Sequence, residues 1–388
     1  MNGGSSSIKF TLYTIGGDSP QRRLHGKVER IGLRGTTLTF DDIERNQHDS
    51  RVIGDFDHRL AANFLIDWLD RQIGLTSIEA VGHRIVHGGA HYNEPQRVTS
   101  ALLDALRQIS AFAPEHLPSQ IAVIDLLSER VPGLPQIVCF DTAFHRDMPR
   151  VAKILPIPRR FQAQGVERYG FHGLSYAFLM EELTRMAGAE AAQRRVILAH
   201  LGNGASLAAV RGGKSIDTSM GFTPAAGVPM STRSGDLDPG LVWYLTQTEH
   251  MTAEQFHHMV NHESGLLGVS ETSSDLRDLL AHEVGDVRAA EAVALFCYQI
   301  KKCLGAFAAA LGGLDTLVFA GGIGENAPEV RARICDGLEF LGIEIEEKRN
   351  AANAGVISAD TSRVAVHVIR TDEELMIAKI VCRVLDLG

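Results

Sequence analysis

Apolar residues in this chain follow two rhythms. Continuous runs such as Gln136-Ile137-Val138-Cys139-Phe140, Val196-Ile197-Leu198-Ala199 and Thr316-Leu317-Val318-Phe319-Ala320 have the length and β-branched content of buried strands. Elsewhere the apolar positions recur at helical spacing. Leu60, Phe64, Leu65, Trp68 and Leu69 form one such stripe, and Ala290, Val293, Ala294, Cys297 and Ile300 another. The second helix is expected to stop at Gly312-Gly313, where glycine takes the left-handed cap conformation cheaply. Strands alternating with amphipathic helices predict an α/β chain.

One local pattern occurs twice. Asn2-Gly3-Gly4-Ser5-Ser6-Ser7-Ile8-Lys9-Phe10 and Asn203-Gly204-Ala205-Ser206-Leu207-Ala208-Ala209 each read as an Asn-Gly turn, a serine and a strand, which is a hairpin signal. The echo predicts a duplicated domain with a phosphate-binding hairpin in each half. A full strand, Arg195 to Leu201, precedes Asn203, whereas only Met1 precedes Asn2, so the first hairpin reads as short of its leading strand. Between Asp217 and Gly240 neither rhythm holds, and Pro224, Pro229 and Pro239 interrupt the stretch. A loop this long inside a compact domain is usually functional.

Composition narrows the class. The chain has 388 residues, enough for two or three domains, with 45% apolar and 22% charged residues. Its net charge of −9 argues against nucleic acid or an anionic membrane as the main partner. No segment reads as a signal peptide or as a membrane span, so a cytoplasmic location is expected. The five cysteines show no metal-ligand spacing and read as reduced core residues.

Against that acidic background three loops concentrate chemistry. Gly82-His83-Arg84-Ile85-Val86-His87-Gly88-Gly89, Arg168-Tyr169-Gly170-Phe171-His172-Gly173 and Ser231-Thr232-Arg233-Ser234-Gly235-Asp236 combine two permanent cations with a proton-capable ring. Arg84 and Arg233 offer planar forks that suit carboxylate or phosphate oxygens, and moving negative charge is what phosphoryl transfer demands. Phe319-Ala320-Gly321-Gly322-Ile323-Gly324-Glu325-Asn326-Ala327-Pro328 follows a strand and opens a helix that Asn326 could cap. It departs from the Walker pattern and reads either as a tight turn or as a nucleotide contact. Thr371-Asp372-Glu373-Glu374 fits a capping box with Thr371 as cap and Glu374 reaching back, which frees Glu373 for a metal. Asp141 ends a strand where α/β ligand crevices form.

His200-Leu201-Gly202-Asn203-Gly204, Asp217-Thr218-Ser219-Met220-Gly221-Phe222-Thr223-Pro224, Thr232-Arg233-Ser234-Gly235-Asp236 and Gly322-Ile323-Gly324-Glu325-Asn326 together resemble the acetate kinase family, in matching order from Asn2 to about Ala378. The resemblance implies two duplicated ribonuclease-H-like domains of the acetate and sugar kinase/actin type around a central cleft. Residues 1–141 and 374–388 would form the N-terminal acyl kinase domain, with its first strand truncated. Residues 142–373 would form the nucleotide-binding domain. The implied reaction is MgATP + acetate ⇌ MgADP + acetyl phosphate by in-line transfer, with Mg²⁺ or Mn²⁺, in a cytoplasmic homodimer.

The same resemblance implies roles. Arg84 and Arg233 would hold the carboxylate and the moving phosphoryl group, His172 would donate a hydrogen bond to it, and Asp141 would orient the centre. Val86, Phe171 and Pro224 would line the pocket for the acyl methyl. Ser5, Ser7, Lys9, His200, Leu201, Gly202, Asn203 and Gly204 would cradle ATP, with Asp275, Leu276, Arg277 and Gly322, Ile323, Gly324, Glu325 and Asn326 near the nucleoside. Asn2 and Glu373 would position the metal. Substituting Arg84 or Arg233 by Ala is expected to cut turnover severely with the fold intact.

Two departures matter. The family's Ala-Pro-Leu-His-Asn-Pro reads Ala113-Pro114-Glu115-His116-Leu117-Pro118, so either Glu115 turns away from the methyl pocket or the substrate is not plain acetate. Gly-Thr-Ser-His after the catalytic histidine reads Gly173-Leu174-Ser175-Tyr176. Propionate or another short carboxylate is one alternative substrate. A nucleotide-binding protein without turnover is the alternative of a different class.

Overall fold

The computed structural model describes residues 1–4, 6–17 and 19–387. Two compact units emerge, one made of Met1–Ala143 with Asp372–Gly388 and the other of Phe144–Thr371. The chain thus returns to the first unit just ahead of Glu373, which belongs there rather than with the second.

The first unit is built on an eight-stranded sheet. Its strands are β1 (Asn2–Gly3), β2 (Ser7–Thr14), β3 (Gln21–Glu29), β4 (Thr36–Asp42), β5 (Gln47–Gly54), β6 (Val81–Ile85), β7 (Gln96–Arg97) and β8 (Gln136–Phe140). They lie in the order β5-β4-β3-β2-β1-β6-β8-β7. The second unit has β9 (Arg195–Leu201), β10 (Ala205–Arg211), β11 (Lys214–Thr218), β12 (Thr316–Ala320) and β13 (Ala365–Val368), in the order β11-β10-β9-β12-β13.

The two sheets share one plan. In each, three strands meander antiparallel (β3-β2-β1 and β11-β10-β9), and two parallel strands follow (β6-β8 and β12-β13). The duplication is therefore a duplication of strand order and sense. One detail of the reading changes. Asn2-Gly3 is not a turn but the strand β1, pairing Asn2 with Lys9 on one side and with Arg84 on the other. In the second sheet the turn does fall at Gly202–Gly204, closed by Gly202 N–H donating to the Gly204 carbonyl at 3.1 Å.

Each unit has its own core. In the first, Trp68 of the helix His58–Ile73 packs against Phe10 and Phe40, with ring centroids 5.5 and 4.8 Å apart. Leu60, counted in the apolar stripe, is exposed; Ala61, Ala62 and Ile66 are buried instead. In the second, the helix Val287–Leu311 buries Ala289, Ala292, Val293, Phe296, Ile300 and Leu304 and stops at Gly312, whose φ is 72°. By length and composition this helix could cross a membrane, contrary to the reading that no segment approaches a span. Its apolar stripe packs on β9, β10 and β11 of the unit's own sheet.

Candidate active site

In the first unit, the parallel strands β6 and β8 deliver the chemistry at their carboxyl ends. Arg84 lies on β6, and Asp141 follows β8 with its N–H donating to the Ile85 carbonyl at 3.0 Å. Arg84 Nε donates to both carboxylate oxygens of Asp141, at 2.9 and 3.0 Å, and Nη2 donates to Oδ2 as well. Nη1 donates to Asn2 Oδ1 at 3.0 Å, and Glu373 Oε2 lies 3.7 Å from Nε. Asp141 is fully buried while the Arg84 side chain is 20% exposed. Burial opposes the Arg84 charge, but Asp141 and Glu373 outweigh it and push the guanidinium pKa further up.

Two further residues hold this cluster in place. Gln120, 3% exposed on the helix Leu117–Arg130, accepts from Val86 N–H at 3.0 Å and donates to the Gly3 carbonyl at 2.8 Å. It ties β1 to the loop after β6. Glu373 opens the last helix, Glu373–Leu385, which packs against β6 and β8. The cap of that helix is Asp372, accepting from Leu375 N–H at 2.9 Å, and not Thr371. Asp372 also pairs with Arg22 at 2.5 Å. Glu115 is exposed, and the buried side chains in that stretch are Ala113 and Leu117. Lys9 is exposed on β2 and Ser7 half-buried; Ser5 lies outside the described residues.

In the second unit the β9–β10 turn brings a second set together. His172 takes a left-handed backbone (φ 59°) just ahead of the helix Gly173–Ala187, a conformation uncommon among non-glycine residues. Its Nδ1 bonds Ser206 Oγ at 2.8 Å, and Ser206 also bonds the Tyr176 hydroxyl. The His172 ring packs on that of His200, centroids 4.3 Å apart. A side chain at Gly204 would put its Cβ 3.2 Å from His172 Nε2 and 3.5 Å from Arg233 Nη1. Glycine there lets the ring and the guanidinium approach the same point.

The surrounding loops are fixed from behind. Arg233 Nη1 donates to the Pro224 carbonyl at 3.3 Å. Arg168 donates to the carbonyls of Thr218, Ser219 and Met220. His145 bonds Ser215 Oγ through Nδ1 at 2.8 Å and the Phe171 carbonyl through Nε2 at 3.0 Å. Burial lowers its pKa to about 4, so it stays a neutral donor to the residue preceding His172. Phe171 is buried and Pro224 half-buried.

The glycine-rich segment forms the short helix Gly321–Asn326 after β12. Gly321 has φ 77°, and a Cβ there would fall 2.6 Å from the Leu201 carbonyl. Only glycine lets this turn lie against β9. Glu325 Oε1 accepts from Gly321 N–H and Thr371 N–H, at 2.9 and 3.0 Å, so that oxygen is spent on the backbone. Asn326 ends this helix and donates to the Gly322 carbonyl. Ala327, not Asn326, caps the next one, Pro328–Cys335. Asp275 caps the helix Leu276–His282 and is paired with Arg277 at 2.6 Å, the two engaging each other.

Sequence reasoning missed the supports. Gln120 and Arg331 carried no signal, Ser206 stood only within the hairpin pattern, and Ser175 and Tyr176 only within a departure from the family motif. Arg331, fully buried, donates to the Gly324 carbonyl at 2.9 Å and to Asn350; Ser175 Oγ joins His200 Nδ1 to Thr371 Oγ1. Fully buried polar side chains are rare without a partner, but burial is not visible in one sequence.

Two sheets of one strand plan, with Arg84 on β6 and with His172 and Arg233 close to the Gly204 turn between β9 and β10, are the arrangement expected of a phosphotransferase of the acetate and sugar kinase type. The acetokinase family model matches residues 1–379. The chain is 44% identical to an acetate kinase of Rhodopseudomonas palustris, covering 100% of this chain and 98% of that one. It is 43% identical to a propionate kinase of Citrobacter rodentium, covering 99% and 96%. Among solved structures, Porphyromonas gingivalis acetate kinase matches with a TM-score of 0.89 at 37% identity, over 99% of this chain and 98% of that one. A propionate kinase from Francisella tularensis matches with 0.91 at 34%, over 98% and 97%. This chain belongs to the acetokinase family and is a phosphotransferase with a carboxyl group as acceptor. Membership brings with it ATP or ADP and a divalent metal ion.

Proposed function

We propose that this protein transfers the γ-phosphoryl group of ATP reversibly to acetate, giving acetyl phosphate and ADP. The observation that carries the proposal is the convergence of His172 Nε2 and Arg233 Nη1 on the space that Gly204 leaves open. Acetate is ionised at neutral pH and needs no base to become a nucleophile. The demand on the protein is therefore positioning and charge stabilisation, which a donor and two guanidinium groups supply. Arg233 and His172 act on the equatorial oxygens of the moving group, and Arg84, oriented by Asp141, holds the carboxylate. Val86, Phe171 and Pro224 are the residues this reading assigns to the acyl methyl group. The exposed position of Glu115 suits a carboxylate turned away from the acyl group.

The metal is Mg²⁺. Among the described residues no group of three or more His, Cys, Asp or Glu side chains could enclose an ion. The oxygens of Asn2, Asp141 and Glu373 gather instead around Arg84. That donor set fits an ion that keeps most of its waters and is held mainly by substrate phosphates, as Mg²⁺ is. Asn2 and Glu373 would hold it through water, and it would neutralise charge on the phosphates. His200, Leu201, Gly202, Asn203 and Gly204 bind the ATP phosphates, and Gly322 to Asn326 with Asp275 and Arg277 lie near the nucleoside.

The protein is a cytoplasmic homodimer in this reading. The helix Gly240–Thr248 is apolar yet buries no residue, with Trp243 70% and Tyr244 60% exposed, a surface suited to a second copy.

The test is hydroxamate-trapped acyl phosphate formed from MgATP with acetate, propionate or butyrate. Turnover highest with acetate is expected. A preference for propionate would move the substrate to the second reading, which the equal similarity to propionate kinases keeps open. No acyl phosphate from any acid, with ATP still bound, would overturn both.

A further inference from the structure

Behind His172 runs a hydrogen-bond chain whose outermost member stands where the family motif has histidine. Tyr176 lies one helical turn beyond His172, its N–H donating to the His172 carbonyl at 3.0 Å, so both side chains leave the same face of the helix. Its hydroxyl bonds Ser206 Oγ, and Ser206 bonds His172 Nδ1 at 2.8 Å. Tyr176 and Ser206 are both fully buried. Ser206 sits on β10 opposite His200, two residues beyond Gly204.

Proton counting gives the chain a direction. A phenol has one proton to give, and the partner of the Tyr176 hydroxyl is Ser206. Burial pushes the Tyr176 pKa up, so the phenol keeps that proton at every working pH. The ring is held from the side by Phe144 and His145, each with its centroid 5.6 Å away. With Tyr176 donating to Ser206 Oγ, the proton of Ser206 turns to the next acceptor, His172 Nδ1. A neutral imidazole that accepts at Nδ1 carries its hydrogen on Nε2, the nitrogen that faces Gly204 and Arg233.

We propose that Tyr176 is a positioning residue that acts through Ser206 to hold His172 as the Nε2–H tautomer, so that its donor always points at the transferring phosphoryl group. The proposal rests on the reading of His172 as a hydrogen-bond donor in transfer. Without the phenol, Ser206 can equally accept from an Nδ1–H, and the other tautomer turns a lone pair toward the anion.

Tyr176→Phe keeps the ring and removes only the hydroxyl, and imidazole ¹⁵N shifts report the tautomer directly. The wild-type protein should show an unprotonated Nδ1 and a protonated Nε2 at His172. In the variant part of the population should move to Nδ1–H. The turnover number should fall roughly tenfold with KM for ATP and the carboxylate little changed, since the lost bond acts in the transition state. Ser206→Ala, which removes the relay from the middle, should move the tautomer in the same sense and serves if Tyr176→Phe folds poorly. An unchanged tautomer in both variants overturns the proposal, even if turnover falls. A wild-type protein with the Nε2–H tautomer but no acyl phosphate formation would sink the functional reading and leave the relay standing.

Discussion

Arg84 and Arg233 look alike in the sequence, each an arginine in a polar, glycine-rich loop. Arg84, however, neutralises Asp141, which is fully buried, and removing one partner of a buried pair strands the other charge at a cost of about 3–5 kcal/mol. Arg84→Ala should therefore lose stability as well as turnover, contrary to the expectation of an intact fold. Arg233→Ala should lose turnover with its melting temperature within a few degrees of the parent. Thermal unfolding of both variants decides this, and an unshifted Arg84→Ala would mean that Asp141 finds another partner. Acid should act on two buried histidines in a separate way. Burial lowers His83 to about 3 and His145 to about 4, below the ordinary value of 6.5. The unfolded chain then binds more protons than the folded one between those values, so stability is complete above pH 6.5 and falls as the pH drops toward 4. The slope is about 1.4 kcal/mol per pH unit for each group. Denaturant unfolding at pH 7 and pH 5 should show the loss, and His145→Gln should reduce it. A flat profile would mean that both rings are reached by water.

At the scale of elements, the two sheets invite a comparison that yields a further prediction. β9 has seven residues and β1 two, although β2 and β6 both run on past β1. Alongside lies a groove of about 440 Å³ whose lining includes Phe10, Leu12, Val81, Ile377 and Val381. The Met1 ammonium is buried beside it, its pKa lowered by that burial, and donates to the Gly82 carbonyl at 2.8 Å, as a strand amide would. A chain extended ahead of Met1 by five residues, apolar at alternate positions, should lengthen β1, replace the buried ammonium with an amide and raise the melting temperature by on the order of 5 °C. Proline in the middle of the extension should cancel the gain, and equal stability with and without proline would rule the pairing out. Elements were the most legible level of this chain. Runs such as Thr316 to Ala320 announce strands because a strand buried on both faces has no polar positions to confuse the pattern. Gly321 was legible because close backbone approach excludes every other residue there. The supports were not. Ser206 lies in a run otherwise apolar, Tyr176 in an amphipathic helix and Gln120 in another, and only the fold brings their polar atoms to His172, Val86 and Gly3. The misplaced cap has a simpler cause: in Thr371-Asp372-Glu373-Glu374 either of the first two residues can cap, and Thr371 is taken up by Ser175 and Glu325.

For the whole molecule, the question with the most physical content is what covers the helix Gly240–Thr248. Val242, Trp243 and Tyr244 stand exposed side by side on it, while the chain carries a net charge of −9 that disfavours loose self-association. Contact between copies must therefore be driven by apolar burial rather than by charge. Covering a tryptophan removes some 150–250 Å² from water, which at about 25 cal/mol per Å² contributes roughly 4–6 kcal/mol per copy. Two copies related by a two-fold axis would count this twice, which makes Trp243 a natural anchor of the proposed homodimer. Sedimentation should then give a mass of twice 42.2 kDa for the parent protein and a shift toward 42.2 kDa for Trp243→Glu. Because Trp243 is exposed and no part of the anion site, the variant should keep its fold and its ATP affinity. A parent protein that sediments as a monomer would remove the dimer from the proposal. A variant that stays dimeric would move the interface to another face.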